Sequence, residues 1–294
     1  MAEIDDVVQL TGPRVPITTR VGHRVRGVDP VAAVCVTFIV AITAVALLAP
    51  VIAPYDPNQV DILNRFAPPS AQHLLGTDSL GRDLLSRLIY GARLSLLGPF
   101  LIIVLATVAG TFLAILSAWL GGLFDNVTSR VLDILFAFPG LILAMLAVAI
   151  FGSGVVAPVI ALSIAYLPYI ARVLRSGAIR ERNLPYIDAC YAEGLPTRVI
   201  ALRHLLPNIM PLVLVQATLS FGYALVDLAA ISYLGLGVQP PAAEWGLMVA
   251  NGQSSVLSGH PQESIYAGVM IILTVVSFNL LGDRLAIYFS TDRR

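Results

Sequence analysis

Long apolar runs separated by short polar segments make up this chain. The runs occupy residues 31–53, 94–119, 131–151, 155–174, 208–234 and 264–288. Each is about 20 residues or more, the length at which an α-helix crosses the hydrocarbon core of a bilayer. The pattern predicts an all-α, polytopic membrane protein with six transmembrane helices and both termini on one side. The 31–53 run is too long for the core of a signal peptide and lacks a convincing cleavage site, so it reads as an uncleaved first span. Residues 1–28 form a polar tail ahead of a membrane domain at 29–294.

One polar island, residues 180–207, separates spans four and five and has a structure of its own. Pro185 suits the first position of a helix, with Asn183 upstream as a cap. Residues 186–193 then read as helical, and Gly194 is placed to end them in a left-handed turn. Pro196 prevents a continuous helix. Residues 197–206 restart one, with apolar positions at Val199, Ile200, Leu202 and Leu206, until Pro207 and Pro211 perturb the backbone beyond it. A helix, a glycine break and a second helix between two spans form a knob rather than a plain linker.

The other polar segments are shorter on information. In the loop at 54–93, Pro54, Pro57, Pro68 and Pro69 predict an extended start, and Gly76 and Gly81 mark a turn. From Asp83 the residues Leu84, Leu85, Leu88 and Ile89 predict an amphipathic helix lying at the membrane surface before span two. Asp78–Arg82 or Asp83–Arg87 can pair locally. Span two sets Ala106, Gly110, Ala114 and Ala118 four apart, a small-residue stripe that lets another helix approach. Arg130 and Asp133 can pair at a separation of three, and Pro139 predicts a kink in span three. Span five is the most polar: Gln216, Thr218, Ser220, Tyr223, Asp227 and Ser232 interrupt it. An ionisable group in a membrane marks either a pathway or a pair, so Ser220, Tyr223 and Asp227 are candidates to line a translocation route. Trp245, in the second outer loop, suits an interfacial anchor.

Composition narrows the classes. The chain is 57% hydrophobic and 12% charged, with a mean hydropathy of +0.83, which excludes a soluble core. Net charge is zero, so no nucleic-acid partner is implied. Every basic residue is Arg. With the N-terminus inside, fourteen fall in inner segments and four in outer loops, which obeys the positive-inside rule and places the knob and both termini in the cytoplasm. Cys35 and Cys190 lack metal-type spacing, and no metal site is expected. The segment GTDSLGRD is not a phosphate loop, and no Walker motif occurs, so the chain itself is not expected to be an enzyme. Gly152-Ser153-Gly154 faintly resembles a rhomboid protease motif, but no His lies in a neighbouring span to activate the serine.

Several of these stretches resemble one transporter family. Asp188-Ala189-Cys190, Gly194 and His204-Leu205-Leu206-Pro207 keep the spacing of the EAA signature of ABC-importer permeases, with Asp for Glu, Cys for the second Ala and His for Ile. Residues 76–96 are very similar to the GTDxLGRDxLSRLxYGARxSL run of the second, C-type permease of dipeptide, oligopeptide and nickel importers. ISYLGLG at 231–237, QPPAAEWGLM at 239–248 and FNLLGDRL at 278–285 continue the match. That group carries Glu four residues before the Ser of its LSFLGLG motif. Here Leu228 holds that position and Asp227 precedes it, displaced by about 100° around a helix.

The resemblance implies a permease subunit of a binding-protein-dependent ABC importer in the bacterial inner membrane, for peptides or similar small polar solutes. Asp188, Ala189, Cys190, Gly194, Leu206 and Pro207 would form the coupling helix that docks in an ATPase. The implied partners are a homologous permease in a heterodimer, two ATP-binding subunits that hold ATP and Mg, and an extracytoplasmic substrate-binding protein with Trp245 at its docking surface. Two other classes compete. A secondary transporter would show paired, interrupted helices and more buried charge, and no internal repeat is visible. A non-transporting scaffold would copurify without an ATPase.

Overall fold

The computed structural model describes residues 29–291. The tail at 1–28 and the last three residues, including Arg14, Arg20, Arg24, Arg26, Arg293 and Arg294, lie outside the described residues. Among the described residues nearly everything is helical and there is no strand, only an isolated bridge between Thr77 and Asp83. Five helical stretches are long and apolar enough to cross a membrane, and one sharply bent pair accounts for a sixth span.

The first span is α1 (Pro30–Leu47), extended by a short turn of helix, α2 (Ala49–Ile52). Asp29 caps α1 by accepting from the Val31 amide at 3.0 Å, and Pro30 occupies the first turn, where its missing N–H costs nothing. The second span, α3 (Leu84–Leu120), corrects the sequence reading. No separate surface helix precedes it: 37 residues run as one helix, roughly 55 Å long. The stripe that looked amphipathic faces protein, because Leu84, Ile89 and Ala92 are buried and Arg87 has no exposed surface. Asp83 starts the helix by accepting from the Ser86 amide at 2.8 Å.

The third span is broken rather than kinked. Helix α4 (Gly122–Phe136) stops before Pro139, α5 (Gly140–Phe151) starts after it, and the two meet at 81°. Pro139 lacks an amide hydrogen and disfavours helical backbone at the residue before it, so the ladder cannot pass. Asp133 also finds a different partner from the one expected. It takes Arg172 at 2.7 Å instead of Arg130, and Asp125 takes Arg175. Both acceptors thus tie α4 to α6 (Val156–Arg182), the fourth span.

The half of the bundle next to residues 180–207 is held by small residues. Ala106, Ala114 and Ala118 of α3 pack with Ile170, Leu174 and Ala178 of α6 and with Ile209 and Val213 of α9 (Leu206–Tyr233). At Gly110 an added Cβ would lie 3.1 Å from Ile170 Cγ2 and 3.2 Å from the Ala171 amide, so the stripe does meet a helix. The opposite half is closed by α10 (Trp245–Leu257) and the first turns of α11 (Gln262–Thr291), with Trp245, Met248 and Ala267 joining the main core.

Candidate coupling and translocation sites

The knob is built from α7 (Pro185–Ala192) and the one-turn helix α8 (Thr197–Val199). Leu184 precedes α7 with extended backbone, and no side chain caps the helix. Asn183 ends α6 instead, a correction to its expected capping role. At the other end the closure agrees with the sequence reading. The Gly194 amide bonds to Tyr191 O at 3.0 Å and the Leu195 amide to Cys190 O at 3.1 Å, with Gly194 at φ +77°. This is a Schellman closure, which needs a residue that accepts left-handed backbone.

Between Pro196 and the end of span five the chain does not break again. Residues Thr197–Tyr233 form one continuous rod, in which Ile200–Leu205 adopt wider π-helical turns before Pro207. An α-helical Pro207 would leave the Arg203 carbonyl without a donor and crowd it with the ring; widening the preceding turns relieves this. Pro207 is thus carried in the first turn of α9, and Pro211 inside it, rather than ending the helix.

One face of α7 holds the knob to the bundle. Ile187 and Cys190 pack with Ile200, backed by Trp119, Tyr186 and Leu195. The opposite face, with Asp188, Ala189, Tyr191, Glu193 and Gly194, is exposed. Leu206 is half-buried and Pro207 exposed at the base. Polar bonds fasten the knob to two spans, and one of these to a third. The Tyr186 hydroxyl donates to Glu181 Oε1 of α6 at 3.0 Å and accepts from Asn208 Nδ2 of α9 at 2.9 Å. Arg182 donates to the Ala118 carbonyl of α3 and lies over the Trp119 ring. Partial burial pushes the Tyr186 phenol above its ordinary pKa, which keeps it a donor.

A pocket of about 270 Å³ opens where span three breaks. Phe136, Phe138, Pro139 and Gly140 line one side; Ala165, Tyr166 and Tyr169 of α6 and Asp227 of α9 line the other. The Tyr166 hydroxyl donates to Asp227 Oδ2 at 2.7 Å. Of the three residues expected on the route, the pocket takes only Asp227. Ser220 is fully buried and accepts from Gln216 Nε2 at 3.2 Å, so its hydroxyl is spent inside the packing. Tyr223 is exposed one turn away from Asp227.

The cap at the end of the bundle away from the knob has a polar core. Arg82 Nε donates to Asp78 Oδ2 at 2.6 Å, the local pair expected from sequence. The alternative pair does not form: Asp83 takes His73 at 3.0 Å, and the wholly buried Arg87 guanidinium bonds to the Pro57 carbonyl at 3.0 Å and stands 3.6 Å from Asp78. Glu244 caps α10 by accepting from the Gly246 and Leu247 amides at 2.9 and 2.8 Å, while Ser95 donates to it at 3.1 Å. Burial pushes this carboxyl up, against the pull of those bonds. Trp245 is not the surface anchor its type and loop position led us to expect. It has no exposed surface, lies against Gly91 and donates its indole N–H to Leu88 O at 3.1 Å. Its ring cannot touch a docked protein.

Residues 106–294 match the family model described as binding-protein-dependent transport system inner membrane component, and residues 28–69 match the N-terminal TM domain of oligopeptide transport permease C. The chain belongs to this family of transport permeases. Among similar proteins, the di/tripeptide transport system permease protein DppC of Pseudomonas aeruginosa is 42% identical, over 84% of each chain. The dipeptide transport system permease protein DppC of Alkalihalophilus pseudofirmus is 37% identical, over 87% of this chain and 84% of its own. The glutathione transport system permease protein GsiD of Pectobacterium atrosepticum is 37% identical, over 84% and 82%. A solved chain from inward-facing conformations of the MetNI methionine ABC transporter shares the fold, with a TM-score of 0.56, 21% identity and coverage of 69% of this chain and 95% of that one.

As a permease of this family the chain is a multi-pass inner membrane subunit of an ABC importer, and the ATPase and substrate-binding functions belong to other proteins. The permease also uses residues that sequence reasoning passed over. Tyr186, Glu181 and Asn208 carry the bonds from knob to spans, and Arg182 ties α6 to α3. Tyr166, an unremarkable residue in an apolar run, orients Asp227. Only Tyr186 and Asn208 gave a signal, as polar residues directly after Pro185 and Pro207. Tyr166 and Asp227 lie 61 residues apart, and no local pattern links them.

Proposed function

We propose that this permease carries peptides or peptide-like small polar solutes inward as one half of a heterodimer with a homologous permease. Two ATP-binding subunits, holding ATP and Mg, dock on the cytoplasmic knobs, and a substrate-binding protein docks on the outer cap. The N- and C-termini lie in the cytoplasm, a reading that the arginine distribution supports. Dipeptide, tripeptide and glutathione permeases among the relatives support the cargo class.

The observation that carries the reading is the knob. Its exposed face, centred on Asp188, Ala189 and Gly194, is what an ATPase groove would hold, while Cys190 packs inward and Leu206 and Pro207 form the base. Because Tyr186 bonds α7 to Glu181 of α6 and Asn208 of α9, and Arg182 at the end of α6 bonds on to α3, a push on the knob moves spans rather than a loop. ATP-driven approach of the two ATPases would bring the knobs together and shift the bundle toward an outward-open state, which a loaded binding protein also favours. The pocket at the break in span three, with Asp227 on its wall, belongs to the route between the two permeases.

Reconstitution tests this. The permease, its partner permease, the ATP-binding subunit and the binding protein, placed together in nanodiscs, should hydrolyse ATP faster when the binding protein is loaded with dipeptide. Hydrolysis that ignores the binding protein, or a complex that forms without this chain, would contradict the proposal.

A further inference from the structure

The pocket at the break in span three combines three features that the packing of the bundle does not demand. The first is a carboxylate with a free face. Asp227 Oδ2 accepts from Tyr166, Oδ1 has no hydrogen bond among the described residues, and no basic side chain pairs with Asp227 there. The second is its lining: Phe136, Phe138 and Tyr169 all retain exposed surface around the opening. Ring faces attract cations, and Phe136 already has the Arg172 guanidinium 4.9 Å from its centroid. The Arg172 charge is matched by Asp133 at 2.7 Å, so it does not neutralise Asp227.

The third is depth. Asp227 lies six residues below the outer end of α9, and Tyr166 ten residues below that of α6, about 9 and 15 Å along the helix axes. Carboxylate and tyrosine therefore lie about two to three turns inside membrane-spanning helices, at a helix break of the kind that transporters use to expose polar groups to cargo.

We infer that this pocket is a cation-selective station for the ammonium group of the cargo: an ammonium N–H donates to Asp227 Oδ1, the Tyr166 hydroxyl holds the carboxylate in place, and the surrounding rings face the charge. The inference rests on the reading of this face as part of the route. It selects cargo with a free amine near one end and disfavours anions at the same point. The carboxylate that carries it stands one position away from the acid of the resembling permeases, so the station is a property of this chain's own residues.

Charged thiol reagents test it without knowing the cargo. In the assembled importer, with Cys35→Ala and Cys190→Ala to remove both native thiols, Phe138→Cys places one thiol at the pocket rim. Methanethiosulfonates bearing trimethylammonium or sulfonate are then compared by reaction rate, each divided by its rate with a small free thiol, because the thiolate itself favours the cation. The cationic reagent should react at least about tenfold faster, as expected for one unscreened charge within a few ångströms. Adding Asp227→Asn should bring the ratio near one, whereas Asp227→Glu and Tyr166→Phe, which keep the charge, should preserve most of it. A ratio near one with Asp227 in place, or a ratio that survives Asp227→Asn, overturns the ammonium station and leaves a wet route standing. Failure of both reagents to react means that the pocket is closed to water, and the route reading falls together with the station.

Discussion

Replacing Gly194 isolates the backbone of the knob from its contacts. Gly194 sits at φ +77°, and a Cβ built there would meet nothing within 4 Å. Any cost of a side chain is therefore conformational. For a residue that must take left-handed backbone the cost is about 1–2 kcal/mol, at the low end for Ala and at the high end for a β-branched residue such as Val. Asn, whose short polar side chain tolerates this region, should cost least. Losing the Schellman turn frees α7 to unwind from its last turn and spoils the surface offered to the ATPase. If binding requires the closed turn, the apparent affinity for the ATP-binding subunit falls by the population lost, up to about 30-fold for Val. Titrating labelled ATP-binding subunit onto the permease pair in nanodiscs measures this directly. The expected order is wild type, Asn, Ala, Val, with membrane insertion unchanged. Equal affinities for Asn and Val, or a Val variant that binds like wild type, would refute the argument that the turn shapes the docking surface.

Three further outcomes are set by the packing. Tyr186→Phe removes the hydroxyl shared by Glu181 and Asn208 and should cost about 1–2 kcal/mol; ATPase binding should persist while binding-protein-stimulated hydrolysis drops, and normal stimulation would contradict the bridging role. Gly110→Leu must displace Ile170 and the Ala171 backbone and should abolish assembly, read as complex recovered by size exclusion, whereas Gly110→Ala requires a shift of only a few tenths of an ångström and should retain it. Trp245→Ala empties a fully buried indole site and should destabilise the outer cap by about 3–5 kcal/mol, seen as a lower melting temperature; an unchanged melting temperature would show that the cap does not depend on it.

The parts legible in the sequence are those set by local rules. Apolar run length gave the spans, and Gly194 with Pro196 gave the knob, because left-handed turns and proline breaks depend on a few neighbouring residues. Where the reading failed, the deciding partner was distant. Arg87 looks like the polar side of a surface helix until the Pro57 carbonyl and the Asp78 carboxylate are seen to enclose it. Trp245 looks like a membrane anchor because its type favours interfaces, yet Gly91, 154 positions away, leaves a hollow for its ring. The perturbation at Pro207 was legible, but its form, the wider turns of Ile200–Leu205, leaves no mark in composition. Asp227 stood out by charge alone; the tyrosine that holds it, and the break at Pro139 that opens a pocket beside it, came only from the packing of three spans.

Site-specific crosslinking tests the central claim most directly, that this permease takes its drive through the α7 knob. Ala189→Cys places a thiol on the exposed face of α7, and Leu63→Cys places one on the outer segment, where the side chain is 98% exposed. With a short bifunctional reagent in intact membranes, Ala189→Cys should link to the ATP-binding subunit, and more strongly when ATP is trapped. Leu63→Cys should link only to the binding protein. An ATPase adduct at Leu63→Cys, or none at Ala189→Cys in a complex that still hydrolyses ATP, would contradict the account.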